Sequence, residues 1–384
     1  MEQGDQIIAA IPRGESVVVI GAGAFGGWSA LYLLRKGYQV TLIDAWGAGN
    51  SRSSSGDETR VIRSTYGNNE LYFQMNVRAL ELWQEYEHKF KKKIFHNTGV
   101  LWLCYQQTNP IVDDSVPFSK KYGVEYRYLD KSELRSKYPE INTDDLSHAI
   151  LDPFGGYLKA REGTQAVLSE FIQSGGKFVQ AQAVPGASHD RVMQEVLSSN
   201  GNAIRGSAFL FACGSWLPKL FPQTLASKLH CTRQEVYYFG VPQDKAEQFD
   251  ELPVWVDLDG SDYYYGIPGN GGRGFKIGVD RRGVSFDPTG DERTLDPHVL
   301  EHARQFLVHR FPAMKNAPLI ENRVCPYENS RTGNFIFERD PENDNVFLLG
   351  GGSGHGFKHG PALGELVADC LSGEKPVPAL FRGF

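Results

Sequence analysis

SVVVIGAGAFGGWSALYLLRKGYQVTLIDA, residues 16–45, decides the fold. Its first five residues are apolar and rich in β-branched side chains, which reads as a short strand buried in a parallel sheet. Phe25, Trp28, Ala30, Leu31 and Leu34 then recur on one side of a helix spanning 25–36, and Gly37 supplies its stop. "YQVTLID" is the second strand, so the stretch is one βαβ unit of about 30 residues. Gly21, Gly23 and Gly26 form GxGxxG at the strand-to-helix joint, and Asp44 ends the second strand 23 positions after Gly21. Glycines at that turn let the backbone approach a pyrophosphate, the helix N-terminus favours its charge, and Asp44 accepts from a ribose hydroxyl. A tight turn beside an acidic strand end is the structural alternative. The motif implies a dinucleotide without choosing between NAD and FAD.

The chain has 384 residues, more than one hydrophobic core organises, so two domains are expected. Its 46 acidic and 40 basic residues leave a net charge of −6, which gives no footprint for nucleic acid. The basic run "KFKKK" (89–93) reads as a solvated helix end. Five cysteines, an odd number at wide spacings without CxxC, argue against a disulfide framework or a zinc site and fit a reducing compartment. Residues 1–16 lack the pattern of a signal peptide, "LFRGF" is no peroxisomal address, and no apolar run approaches the ~20 residues of a membrane span. A cytoplasmic protein is the expectation.

Beyond residue 45, "GAGNSRSSSGDETRVIRSTYG" (47–67) reads as a Gly/Ser-rich loop and 70–93 as a long helix. "KSELRSKYP" (131–139) reads as a short helix with Ser132 as N-cap and no full capping box. Residues 155–180 read as strand, helix, strand, and "SAFLFACGSW" as a buried strand. From 231 to 282, "QEVYYFGV", "PVWVDL", "YYYGIPG" and "GFKIGVD" alternate in the manner of an antiparallel sheet. A helix over 295–311, a strand "NVFLLGGG" and a last helix over 361–373 with Pro361 at its first position complete the pattern. Residues 322–335, "NRVCPYENSRTGNF", are polar and turn-prone and carry a lone thiol, Cys325. Composition alone makes it an inert buried cysteine. The interleaving implies an α/β fold: a Rossmann-like dinucleotide domain (1–93, 148–224 and 322–384) and a mostly antiparallel substrate domain (94–147 and 225–321), both discontinuous.

"GDETRVIR", an acidic and arginine-rich loop after the second strand, and "GSGHGFK", a Gly-rich loop at a late strand–helix joint, resemble the D-amino-acid-oxidase superfamily of flavoproteins. Together with "GAGAFG", "HNTGVL", "YYYGIP", "GFKIG" and "RVCPY", they are most similar to the monomeric sarcosine oxidase family, which includes pipecolate and N-methyltryptophan oxidases. The resemblance covers nearly the whole chain in family order. It implies FAD as cofactor, O2 as electron acceptor, a monomer, and a small amine or amino acid as substrate, with no nucleic-acid or membrane partner and no metal.

The same resemblance implies the site residues. Cys325 would carry the flavin through a thioether, in the pattern Cys325-Pro326-Tyr327. Lys276 would face the flavin ring and promote the reaction with oxygen; a strand lysine pointing to water is the bland reading. Arg63 and Lys358 would clamp a substrate carboxylate, where a structural salt bridge and a surface lysine are the alternatives. Thr59 and Arg60 would lie near the flavin, and Gly354, His355, Gly356, Phe357 and Lys358 would line it from the last Gly-rich loop, with His359 structural or exposed. Tyr265, Tyr327 and Trp255 would wall the substrate pocket. Asp280 stands where close sarcosine oxidases carry histidine, which implies a different or more cationic substrate. The resemblance leaves three rivals open: a non-amine substrate such as a sugar-like alcohol, a dehydrogenase using another acceptor, and a flavin-holding module without turnover.

Overall fold

The computed structural model describes residues 10–258, 263–269, 272–280 and 283–382. Two large sheets dominate it. The first has six strands in the order Ile336–Arg339, Val346–Gly350, Ala208–Phe211, Ser16–Ile20, Gln39–Asp44, Lys177–Gln180. All neighbours are parallel except the edge strand Ile336–Arg339. Val17, Val18, Val19 and Ile20 are all buried, as a strand covered on both faces requires. The helix Ala24–Arg35 follows the first strand, as its apolar spacing predicts, and packs on the last helix, Gly360–Leu371. Their approach is close because Gly364 has no side chain: a Cβ there would lie 2.7 Å from Trp28. Trp28 in turn meets Trp83 and Tyr86 edge-on, which locks the long helix Glu70–Phe90 to the same core.

The second sheet has eight strands in the order Leu319–Ser330, Leu229–Phe239, Phe275–Val279, Tyr263–Ile267, Val254–Leu258, Val100–Cys104, His148–Asp152, Arg127–Asp130. Every pairing is antiparallel except Val254–Leu258 with Val100–Cys104, which sequence alternation alone does not reveal. A smaller antiparallel sheet, Thr59–Ile62, Gly156–Lys159 and Phe95–His96, lies in the chain between these frameworks. His148–Asp152 and most of Leu319–Ser330 join the eight-stranded sheet, although their residues fall in segments expected of the dinucleotide domain.

Two local readings are corrected. Residues 322–335 are not mainly turn: Leu319–Ser330 is a twelve-residue strand. It carries Pro326 without penalty because it is an edge strand, where a missing N–H costs no ladder bond. The helix Lys131–Lys137 starts at Asp130, not Ser132, and has a complete capping box, with the Glu133 side chain returning to the Asp130 N–H.

Candidate active site

The Gly-rich turn, Asp44, Arg60, Tyr327, Gly352, Gly354, Gly356 and Phe357 line one continuous cleft of about 210 Å³. Gly21 has φ +107°, and a Cβ on it would lie 2.3 Å from the Ala212 carbonyl; one on Gly26 would lie 1.9 Å from the Gly21 carbonyl. Only glycine fits either position. Gly23 is open on its cleft side, its nearest neighbour being Ser55 Oγ at 3.4 Å from a notional Cβ. The helix it opens has no acidic residue in its first turn, and the N–H of its first residue, Ala24, donates to Ser55 Oγ at 3.1 Å. Asp44 accepts from the N–H groups of Ala22 (2.8 Å) and Trp46 (2.9 Å) at the mouth of the same cleft. Thr59 is 1% exposed, and its Oγ1 has no protein partner among the described residues. These features fit a dinucleotide laid along the cleft.

One side of the eight-stranded sheet, which reaches the cleft at Tyr327, carries a second group of residues. Residues opposite one another in a ladder share a face. The pairings Gln234–Cys325, Val236–Arg323, Val236–Gly278, Tyr238–Lys276, Gly278–Tyr265, Tyr265–Val256 and Val256–Trp102 therefore put Cys325, Lys276, Tyr265 and Trp102 on a single surface. Tyr327, two residues after Cys325, joins them. Gly278 lets the Tyr265 ring lie across the sheet, since a Cβ there would come within 2.7 Å of it.

Trp255 belongs to the opposite face. It is 1% exposed and packs among Phe275, Phe306 and Phe311, against the helix Pro297–Arg310. The expectation that it walls the substrate pocket is therefore corrected: strand alternation gives the site-facing position to Val256. Tyr264 shares the Trp255 face, stacked on Phe306 at 3.8 Å.

Lys276 is fully buried, not turned to water. Its Nζ lies 2.5 Å from Asp57 Oδ2 and 2.9 Å from the Thr59 carbonyl. Burial pushes its ammonium down to about 8 while Asp57 pulls it back up. For Asp57 itself, burial alone would raise the carboxyl, but the charges of Lys276 and Arg60 overcome this and hold it far below the usual carboxylate range. Arg60 also donates to Asp57, to the Thr59 and Ser54 carbonyls, and approaches Cys325 Sγ at 3.5 Å. Burial raises the Cys325 thiol, and Arg60 is the first group acting against it.

Arg63 and Lys358 come together around Tyr66, their charged ends 4.7 and 5.4 Å from its ring centroid. Arg63 also lies 5.0 Å from the Trp102 ring. Among the described residues their side chains donate only to backbone: Arg63 to the Thr65 carbonyl, Lys358 to that of His355 at 3.0 Å. Burial, with Arg63 adding to it and Asp280 opposing it, drives Lys358 well below the ordinary ammonium range. Asp280, exposed just past the strand Phe275–Val279, lies beside Gly354: a Cβ on that glycine would sit 3.4 Å from Asp280 Oδ1 and 2.6 Å from the Tyr327 ring.

In the last Gly-rich loop, Phe357 stacks on Trp83 and lines the cleft. The His355 side chain turns instead toward Phe335 and Tyr72, with Nε2 3.0 Å from the Gly333 carbonyl, so the expectation that it lines the cofactor is corrected; the backbone of that loop faces the cleft. His359 is fully buried and bonds Tyr66 Oη at 2.7 Å. Sequence reading missed Asp57, Tyr66, Trp102 and Tyr238. For Asp57 and Tyr66 the available signal was their proximity to "TRVIR"; Trp102 and Tyr238 lie on strands in which no site residue was singled out.

A family model described as "FAD dependent oxidoreductase" (DAO) matches residues 16–370. The chain belongs to the DAO family of FAD-dependent oxidoreductases. Monomeric sarcosine oxidase of Bacillus sp. (strain B-0618) is 28% identical over 93% of this chain and 92% of its own length. N-methyl-L-tryptophan oxidase of Yersinia pestis (strain Pestoides F) is 23% identical over 96% and 97%. Among solved structures, fructosyl peptide oxidase from E. terrenum superposes with a TM-score of 0.83 at 20% identity, covering 98% of this chain and 93% of that one. L-proline dehydrogenase from P. horikoshii gives 0.82 at 21%, covering 96% of each. These two establish the shared fold. In this flavoprotein no helix among the described residues is long and apolar enough to cross a membrane.

Proposed function

We propose that this FAD-dependent oxidoreductase is a monomeric amine oxidase that oxidises the C–N bond of a secondary or N-methylated amino acid, with FAD held covalently at Cys325. The observation that carries the reading is the Arg63–Lys358 pair, two basic side chains gathered at the Tyr66 ring that find only backbone acceptors among the described residues. Such a pair calls for an anion from outside, and the fork of Arg63 beside the point charge of Lys358 suits a carboxylate. The relatives named for sarcosine and N-methyl-L-tryptophan support an N-methylated amino acid, and "monomeric" in one name supports the oligomeric state.

FAD, when bound, would supply two-electron redox chemistry, coupling oxidation of the carbon beside nitrogen to an imine with reduction of O2 to H2O2. The chain's residues orient the substrate. Arg63 and Lys358 hold the carboxylate, Tyr265 and Tyr327 wall the pocket, and the amine binds neutral so that its lone pair assists loss of the hydride. Lys276 holds a fixed positive charge on the sheet face shared with Cys325, where it favours charge developing on oxygen. Asp280, beside Gly354 and Tyr327, adds one negative charge across from the two cations. That favours substrates with a cationic group beyond the reacting amine.

Oxygen uptake and peroxide release measured over N-methyl amino acids, cyclic imino acids and sugar-like alcohols test the reading. Matched uptake and peroxide with the amino acids alone is expected. Turnover of alcohols without amines, or flavin reduction without oxygen uptake, contradicts it.

A further inference from the structure

Asp57 stands at the centre of the buried charges and has no part in the scheme above. It is 5% exposed and lies in the loop before Thr59–Ile62. Oδ2 faces Lys276 Nζ and the Arg60 guanidinium; Oδ1 accepts from Tyr238 Oη at 2.7 Å and from the Glu58 N–H at 2.8 Å. Arg323 approaches Oδ1 at 3.7 Å. The neighbouring Glu58 is engaged elsewhere, by Arg161, Arg273 and Arg323. Among the described residues, Asp57 is thus the one carboxylate that meets the fully buried Lys276.

A buried ammonium without a counter-ion sheds its proton rather than its hydration. Lys276 has a second reason to do so, since Arg60 shares its carboxylate and repels it. The contact also fixes the side chain: Lys276 belongs to the eight-stranded sheet and Asp57 to the loop entering the small three-stranded sheet, so the ion pair holds the Nζ at a set place between them. We propose that Asp57 is a positioning residue that keeps Lys276 charged and in place, and so sets how fast the reduced cofactor reacts with oxygen. The inference rests on the role given to Lys276 above.

The groups facing Lys276 are Asp57, Arg60, Cys325 and Tyr238, whose ring lies 5.7 Å from the Nζ. Burial raises the Tyr238 phenol, so it is neutral near pH 7, and in the flavin-loaded protein Cys325 is the uncharged thioether proposed above. Lys276 is then the group whose charge is lost as pH rises through about 8. Removing the Asp57 carboxylate moves that loss to lower pH.

The test uses flavin-loaded full-length protein, reduced photochemically without substrate and mixed with oxygen in a stopped-flow instrument from about pH 6 to about pH 10. Reoxidation moves two electrons from the reduced flavin to O2, which gains two protons in total, from flavin and solvent, to become H2O2. In the parent protein the rate constant is expected to fall as pH rises through about 8. In Asp57→Asn the fall is expected about one pH unit lower, with a rate about fivefold slower at pH 8. Asp57→Glu keeps the charge but displaces it by one methylene, and is expected to give a smaller slowing and an intermediate step. Lys276→Met is expected to be slow at every pH, without the step. A parental rate and profile in Asp57→Asn, with Lys276→Met slow, overturns the role of Asp57 alone. A parental rate in Lys276→Met overturns the role of Lys276 and this proposal with it. If Asp57→Asn does not retain flavin, Asp57→Glu decides: an unmoved step overturns the proposal.

Discussion

Arg60 Nη2 lies 3.5 Å from the sulfur of Cys325, and the same guanidinium is anchored to Asp57 and two backbone carbonyls. Burial raises the Cys325 thiol and this fixed cation acts against that rise, in support of the thiolate, the species that attacks an electrophilic carbon. The tether is therefore expected to form unaided in the folded protein. Acid-precipitated protein should carry its yellow colour in the pellet, and Cys325→Ser should release it to the supernatant. Arg60→Ala should slow attachment of added FAD to the unloaded chain. A colourless parental pellet excludes the link.

The carboxylate clamp has a pH signature. Burial first, and then Arg63, hold Lys358 well below the ordinary ammonium range, so the free site binds its proton weakly. A bound carboxylate restores that proton. Binding of a carboxylate ligand that lacks the amine is expected to take up a proton and to weaken as pH rises, which a Kd profile and proton uptake in weak buffer both read. Lys358→Met is expected to lower kcat/KM roughly tenfold or more, since hydrogen bonds to charged groups are worth about 1.5–3 kcal/mol, and to abolish the uptake.

Asp280→His removes the negative charge beside Gly354 and Tyr327. Relative activity should move away from substrates with a second cationic group toward neutral N-methyl amino acids. An unchanged ranking across such a panel removes Asp280 from the specificity account.

Gly354 has φ +80°, and a Cβ there would press 2.6 Å from the Tyr327 ring. Gly354→Ala is expected to cost about 1–3 kcal/mol of backbone strain and to lower flavin content, read as the ratio of flavin to protein absorbance together with Tm. Retained flavin and an unchanged Tm would show that the loop yields.

Trp255→Ala separates core from pocket. Packed among three phenylalanines on the far face of the sheet, the side chain should cost about 3–5 kcal/mol in stability when truncated. The ranking of substrates is expected to stay as it was. A changed ranking with little loss of Tm contradicts the assignment of faces.

The contrast between Gly21 and Trp255 says what a sequence can reveal. The first βαβ unit was legible because its constraints are local: strand, glycine turn and amphipathic helix are each encoded within 30 residues or so, and the structure places the helix within one residue of its expected ends. Arg63 and Lys358 were legible only through family resemblance; their meeting around Tyr66 is a long-range contact. Trp255 failed because a strand changes face at every residue, so an error of one position reverses the side chain. Asp57 was passed over because a carboxylate in a Gly/Ser-rich loop reads as solvated. Nothing within that loop shows that Lys276, 219 positions away, will bury against it.

The most direct test of the central claim is anaerobic bleaching of the flavin absorbance by matched pairs: an N-methyl or cyclic amino acid and the same amine without its carboxylate. Full bleaching is expected from members of the acid series, with the carboxyl-free amines far slower and Arg63→Ala erasing most of the difference. Equal bleaching by both members of each pair, or none by any amine in the panel, would contradict the account.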